Sequence, residues 1–117
     1  TIKTIDRSEE DGIGVCTNKV QVASGKYTSY HRHTEHAEII TILSGEGLLV
    51  TDECILKLTP GISVTIEANK YHAIKGIKEM VYIEILLGNL ERDDIERTLH
   101  DWDDIMQNYF EIKGRLK

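Results

Sequence analysis

The chain has 117 residues, 40% hydrophobic and 29% charged, which fits one soluble globular domain with a single core. Its formal net charge of −6 argues against nucleic acid or an anionic membrane surface as a partner, and no basic stripe with interleaved aromatics offsets it. No run approaches the ~20 apolar residues that a membrane-spanning helix needs. The opening segment, TIKTIDRSEEDG, has neither an apolar signal core nor an Arg-rich amphipathic pattern. From Gly14 to Gly88 short β-like runs follow one another: KVQVASG, EIITILSG, GLLVTD, ECILKLTPG, SVTIEAN, YHAIKG and MVYIEILLG. They are rich in Val, Ile, Thr and Tyr, often alternate apolar with polar, and end at turn-forming residues. Strands at this spacing, with no room for crossover helices, predict an antiparallel sandwich or barrel over about 14–88. After Gly88, Ile95, Leu99, Trp102, Met106 and Tyr109 recur at steps of four and three. That spacing predicts one amphipathic helix over about 90–112, with Asp93, Asp94 and Glu96 near its start and Lys113, Arg115 and Lys117 near its end. The whole, 1–117, reads as a single domain. Cys16 and Cys54 show no metal-ligand spacing and read as small buried hydrophobes in a reducing, cytoplasmic compartment.

The chemistry concentrates in SYHRHTEHAEIITILSGEG. His31 and His33 are two apart, so on a strand both side chains point to one face. Glu38 follows a short turn and can reach back to the same point from the next strand. Two imidazoles and a carboxylate converging there suit a divalent ion of the Mn, Fe, Co, Ni or Zn type. His72, in SVTIEANKYHAIKG, is a fourth candidate. Glu35 and His36 read as solvated turn residues, although Glu35 is also a candidate alternative to Glu38.

The series Gly25, His31, His33, Glu38, Gly45 has the form G-x5-H-x-H-x4-E-x6-G and resembles the first motif of the cupin superfamily. PGISVTIEANKYHAIKG resembles the second cupin motif, with His72 as its histidine. It departs from that motif in carrying Glu67 where a proline is usual and in lacking an asparagine after the histidine. The resemblance implies an all-β fold: a cupin-type antiparallel β-barrel (double-stranded β-helix, or jelly roll) with a C-terminal helix. It also implies a divalent metal, Zn, Mn, Fe or Ni, held inside by His31, His33, Glu38 and His72. No other cofactor is expected.

Within that superfamily the stretches VYIEILLG and ERDDIER resemble the cupin domain of type II mannose-6-phosphate isomerases, without the family's short tail or its tighter His-to-Glu spacing. The activity this implies is aldose–ketose isomerisation of a small sugar phosphate. It needs a Lewis acid for the enediolate and a partly desolvated carboxylate as base. Glu84 is the only charged residue in MVYIEILLG and is the candidate base; Tyr82 shares its face if the segment is a strand. Lys26, Arg32, Lys70 and Lys75 are candidates to hold a phosphate. Two other readings stay open. One is an iron-dependent dioxygenase, with Ile40, Ile42 and Ile74 as an oxygen pocket. The other is a non-catalytic module binding a small ligand such as a sugar. The expected partners are a small-molecule substrate and a second copy of the chain in a homodimer, because the apolar terminal stripe is large for so small a barrel.

Overall fold

The chain begins with a hairpin. Strands β1 (Ile2–Glu10) and β2 (Ile13–Val22) pair antiparallel across Asp11-Gly12, where both residues have positive φ, 54° and 76°. That is the conformation a two-residue, mirror-image turn demands, and Asp-Gly suits it. The sheet therefore starts at Ile2 rather than near Gly14. Every residue of β1 is exposed, so the strand lacks the apolar alternation that reveals strands in a sequence; its ladder to β2 holds it. The computed structural model describes residues 1–90 and 95–115, with side chains through 112.

Next come β3 (Tyr30–His33), β4 (His36–Thr51), β5 (Ile55–Leu58), β6 (Ser63–Ile66) and β7 (His72–Gly88). β4 and β7 pair antiparallel along nearly their full length and form the spine. β2 covers one edge of the far half of β7, while β6 and then β5 cover the other edge of β4. The first half of β4 alternates, with His36, Glu38, Ile40 and Ile42 buried inside. Ile40, Ile42, Leu49, Leu58, Ile66, Ile74, Met80 and Tyr82 are among the residues of the main core.

The spine is not straight. Glu38 lies opposite Leu86, and Thr51 lies opposite His72. Glu38 and Thr51 are thirteen positions apart on one strand, which in a flat ladder is about 43 Å. Yet a Glu38 carboxylate oxygen sits 3.8 Å from Nε2 of His72. The ladder doubles back, through bulges between Ile42 and Gly47 and a left-handed backbone at Gly45, φ +84°. This fold-over closes the barrel.

The C-terminal region departs from the helical spacing. Ile95–Leu99 forms strand β8 on the open edge of β3, and the only helix among the described residues, α1, runs over Trp102–Arg115. A step of four, Ile95 to Leu99, is also even, so it places both residues on one face of a strand as readily as on one stripe of a helix. Asp101 sets the boundary: its carboxylate accepts from the backbone N–H of Asp103 at 2.9 Å and of Asp104 at 3.4 Å, an N-cap. Asp103 and Asp104 are the acids of the first turn; Asp93, Asp94 and Lys117 lie outside the described residues. Trp102 and Ile105 join Tyr30, Val50 and Ala73 in a second core cluster on the outer side of the spine. This explains why Leu49, Val50 and Thr51 are buried in succession, on both faces. Each such apolar side chain contributes about 2 kcal/mol by leaving water. The stripe behind the homodimer expectation is thus largely covered within the chain. The architecture is all-β apart from this helix, as the strand pattern predicts, and no described helix is long and apolar enough to cross a membrane.

Candidate metal centre

His31, His33, Glu38 and His72 arrive from three strands. β3 carries the first two, β4 carries Glu38, and His72 opens β7 directly opposite His31. Their nearest ligand atoms all lie within 4.8 Å of one another. Donors bound 2.0–2.2 Å from one ion are at most about 4.4 Å apart, so the set needs to contract by only a few tenths of an ångström. His33 Nε2 is 2.8 Å from Glu38 Oε1.

The donor chemistry fits an ion. Nδ1 of His31 lies 2.7 Å from the Ser29 carbonyl oxygen, and Nδ1 of His72 lies 3.0 Å from that of Lys70. A carbonyl can only accept, so each Nδ1 carries the proton and each Nε2 keeps its lone pair toward the common centre. Burial, reinforced by His72, pulls the His31 pKa down to about 4, and burial lowers His72 as well. Both imidazoles are therefore neutral and ready to ligate at neutral pH. Burial alone would raise the Glu38 carboxyl, but the hydrogen bond from His33 and the surrounding imidazoles hold it below the ordinary range.

These shifts have a consequence for stability. An unfolded histidine takes up a proton near pH 6.5, whereas folded His31 resists until about pH 4. Between those values the unfolded chain binds more protons, so stability rises with pH and is lost on acidification. Glu38 acts in the same direction only below about pH 4.5. Taking metal-free protein from pH 7 to pH 5 is expected to cost at most about 2 kcal/mol through His31, with His72 adding to it. Urea midpoints at the two pH values measure this; equal midpoints would refute it.

The cluster forms one wall of a cavity of about 490 Å³, a size that suits a small molecule. Tyr82 and Glu84 also line it, since alternation along β7 turns both inward with Met80. Asn18 on β2, in register with Glu84, donates from Nδ2 to Glu84 Oε1 at 3.0 Å. The Cys16 thiol donates to the Asn18 amide oxygen at 3.4 Å. Burial raises the Glu84 carboxyl, and the Asn18 hydrogen bond only partly opposes it. Burial likewise raises the Tyr82 hydroxyl, well above its usual value, so Tyr82 stays protonated and can donate.

Several residues stand elsewhere than the sequence suggests. His36 is not a solvated turn residue. It is buried, lines the cavity and stacks on His33 with ring centroids 4.4 Å apart; its even spacing from Glu38 was the available signal. Cys16 is buried as expected, but Cys54 is exposed. Of the three isoleucines weighed for an oxygen pocket, only Ile74 lines this cavity. None of the four candidate phosphate holders lines it. Arg32 pairs with Glu96 at 2.7 Å, Lys70 pairs with Glu53 at 3.1 Å, and Lys75 Nζ lies 5.2 Å from the Trp102 ring centre. Lys26 borders a separate groove. The arginines on the wall are Arg7 and Arg97, which no motif marks.

Comparison with known proteins places this geometry. The cupin domain family matches residues 18–86. No curated protein matches the chain. Among solved structures, the chain is similar to a cupin 2 domain-containing protein from Halorhodospira halophila. That match has 26% identity over 92% of this chain and 73% of the other, with a TM-score of 0.68. A cupin-like protein from Thermotoga maritima matches at 20% identity over 92% of this chain and 82% of the other, TM-score 0.73. KdgF from Halomonas sp. matches at 19% identity over 76% and 89%, TM-score 0.62. The last two likenesses, at such identities, establish the fold.

Proposed function

We propose that this chain, which belongs to the cupin family, holds one divalent transition metal through His31, His33, Glu38 and His72 and catalyses proton transfer beside the carbonyl of a small carbohydrate-type substrate, in the manner of a sugar-phosphate isomerase. The observation that carries the reading is the pairing of two features on one cavity: a convergent three-histidine, one-glutamate donor set and a second, partly buried carboxylate at Glu84. His31, His33, Glu38 and His72 would hold the ion, and with only four protein donors it would remain accessible to substrate oxygens. A bound ion there supplies Lewis-acid stabilisation of the oxyanion that develops as the proton leaves carbon.

The chain's own groups do the rest. Glu84, whose carboxyl burial holds above the ordinary carboxylate range, takes the proton from one carbon and returns it to the next, a task that favours a partly desolvated carboxylate. Asn18 fixes its orientation through the 3.0 Å hydrogen bond. Tyr82 donates a hydrogen bond to the substrate oxygens while the substrate's hydroxyl proton passes from its own oxygen to the former carbonyl oxygen, so that the C–H and O–H bonds broken are matched by those made. Ile74, Leu86 and Leu90 on the wall limit water around the reacting carbons.

Glu84→Gln keeps the shape and removes the base. Turnover of the active sugar phosphate, followed by NMR, should fall by roughly 10²–10⁴-fold with metal content unchanged. Retention of full activity would remove Glu84 from the mechanism. Failure of metal-loaded wild type to turn over any hexose or pentose phosphate would sink the isomerase reading.

A further inference from the structure

The cavity wall holds a cation that the proton-transfer scheme leaves unused. Arg97 on β8 stands directly opposite His31 on β3. Opposed residues of an antiparallel pair project to the same side, so the guanidinium shares a face with a candidate metal ligand and lines its cavity. Its neighbour Glu96 faces the other way, where it binds Arg32. The arginines of the described residues differ in how they are engaged. Arg7, also on the cavity wall, is tied to Glu9 and to the Leu90 carbonyl oxygen. Arg32 is tied to Glu96. Arg97 forms no ion pair or hydrogen bond among the described residues.

We infer that Arg97 is the receptor for an anionic group on the substrate, a carboxylate or phosphate placed away from the oxygens that meet the metal. A guanidinium presents a planar fork that matches either anion with two parallel hydrogen bonds. The chain's net charge of −6 repels anions in general, so a cation on the cavity wall favours capture of a group that lies beyond reach of the metal. The substrate is then held at two points: its hydroxy-carbonyl end on the open metal positions, its charged end on Arg97. A neutral sugar would fill only the first. Arg97 thus selects sugar acids or sugar phosphates over neutral sugars, a specificity that Lys26, Arg32, Lys70 and Lys75 are not placed to supply.

This inference rests on the reading of the site as an open metal centre, and the test separates the two. Manganese-loaded protein is titrated calorimetrically with D-lactate, D-malate and 3-phospho-D-glycerate. All three offer the same chelating hydroxy-acid end; malate adds a distal carboxylate and 3-phosphoglycerate a distal phosphate. At least one of the latter two should bind about tenfold or more tightly than lactate, the gain of one charge-assisted bidentate contact. Which one wins identifies the anion. In Arg97→Gln, with manganese content unchanged, that preference should shrink to within about twofold, and Arg97→Lys should restore part of it. Equal binding of the three acids by wild type, or a preference that survives Arg97→Gln, overturns the role of Arg97 alone. Absence of lactate binding to the manganese-loaded protein overturns the open metal centre, and the inference with it.

Discussion

Protein carrying His72→Ala, purified without chelators, is expected to contain less than about a tenth of an equivalent of metal where the wild type contains one, and to lose turnover by more than about a hundredfold. His72 is 2% exposed, its Nδ1 proton is committed to the Lys70 carbonyl, and its Nε2 faces Glu38 at 3.8 Å. No other imidazole can take its place from β7. Loss of an outer-shell partner already costs 10–100-fold in metal affinity or activity, so removal of a donor should cost more. Because alanine at a buried position also leaves a cavity and an unpaired carbonyl, His33→Ala is the companion variant. His33 is 16% exposed in its side chain and is lost with less damage to packing. Elemental analysis with circular dichroism on both variants gives the answer: two folded variants that keep a full equivalent of metal would dismantle the proposed centre.

The second large effect is on the fold that brings these donors together. Gly45→Ala is expected to destabilise the protein by more than about 3 kcal/mol, combining a left-handed backbone with a steric overlap. A Cβ at Gly45 would run into the Glu79 carbonyl oxygen and the Met80 Cα. These are backbone atoms of the adjoining strand β7 and have nowhere to move. Gly45 is also where the β4–β7 ladder doubles back, so relaxation there would carry Glu38 away from His72. Gly61→Ala is the control, since its φ of +91° is similar but nothing lies within 4 Å of the added carbon. It should cost only about 1–2 kcal/mol. Urea denaturation of both variants separates strain from overlap. Equal losses would remove the overlap argument.

How far the sequence discloses this site depends on the distance over which each relationship acts. His31, His33 and Glu38 are legible because a strand, a turn and the next strand lie within eight residues, and period-two alternation suffices to aim them. His72 is 34 positions beyond Glu38; only the second motif ties it in, since its approach depends on the fold-over at Gly45. Glu84 is conspicuous as a lone charge in an apolar run, but that it faces inward follows from its register with Asn18 and Ile40, which no local pattern states. Arg97 stays hidden for a different reason. The step of four between Ile95 and Leu99 fits a helix and a strand equally, and what decides is the open edge of β3. β1 is missed because its exposed residues carry no burial pattern, although Asp11-Gly12 marks its turn.

Two of the candidate ligands stand on a strand of four residues and two on strands of sixteen and seventeen. β3 touches the spine at a single register, His31 opposite His72, and otherwise leans on β8. Resistance to local opening follows the density of such ladders, so the rim is the weaker partner. Whatever loosens it parts the donors two from two. An ion held by all four would be a rivet across that seam, and its departure would slacken the lip of the cup while leaving the bowl intact.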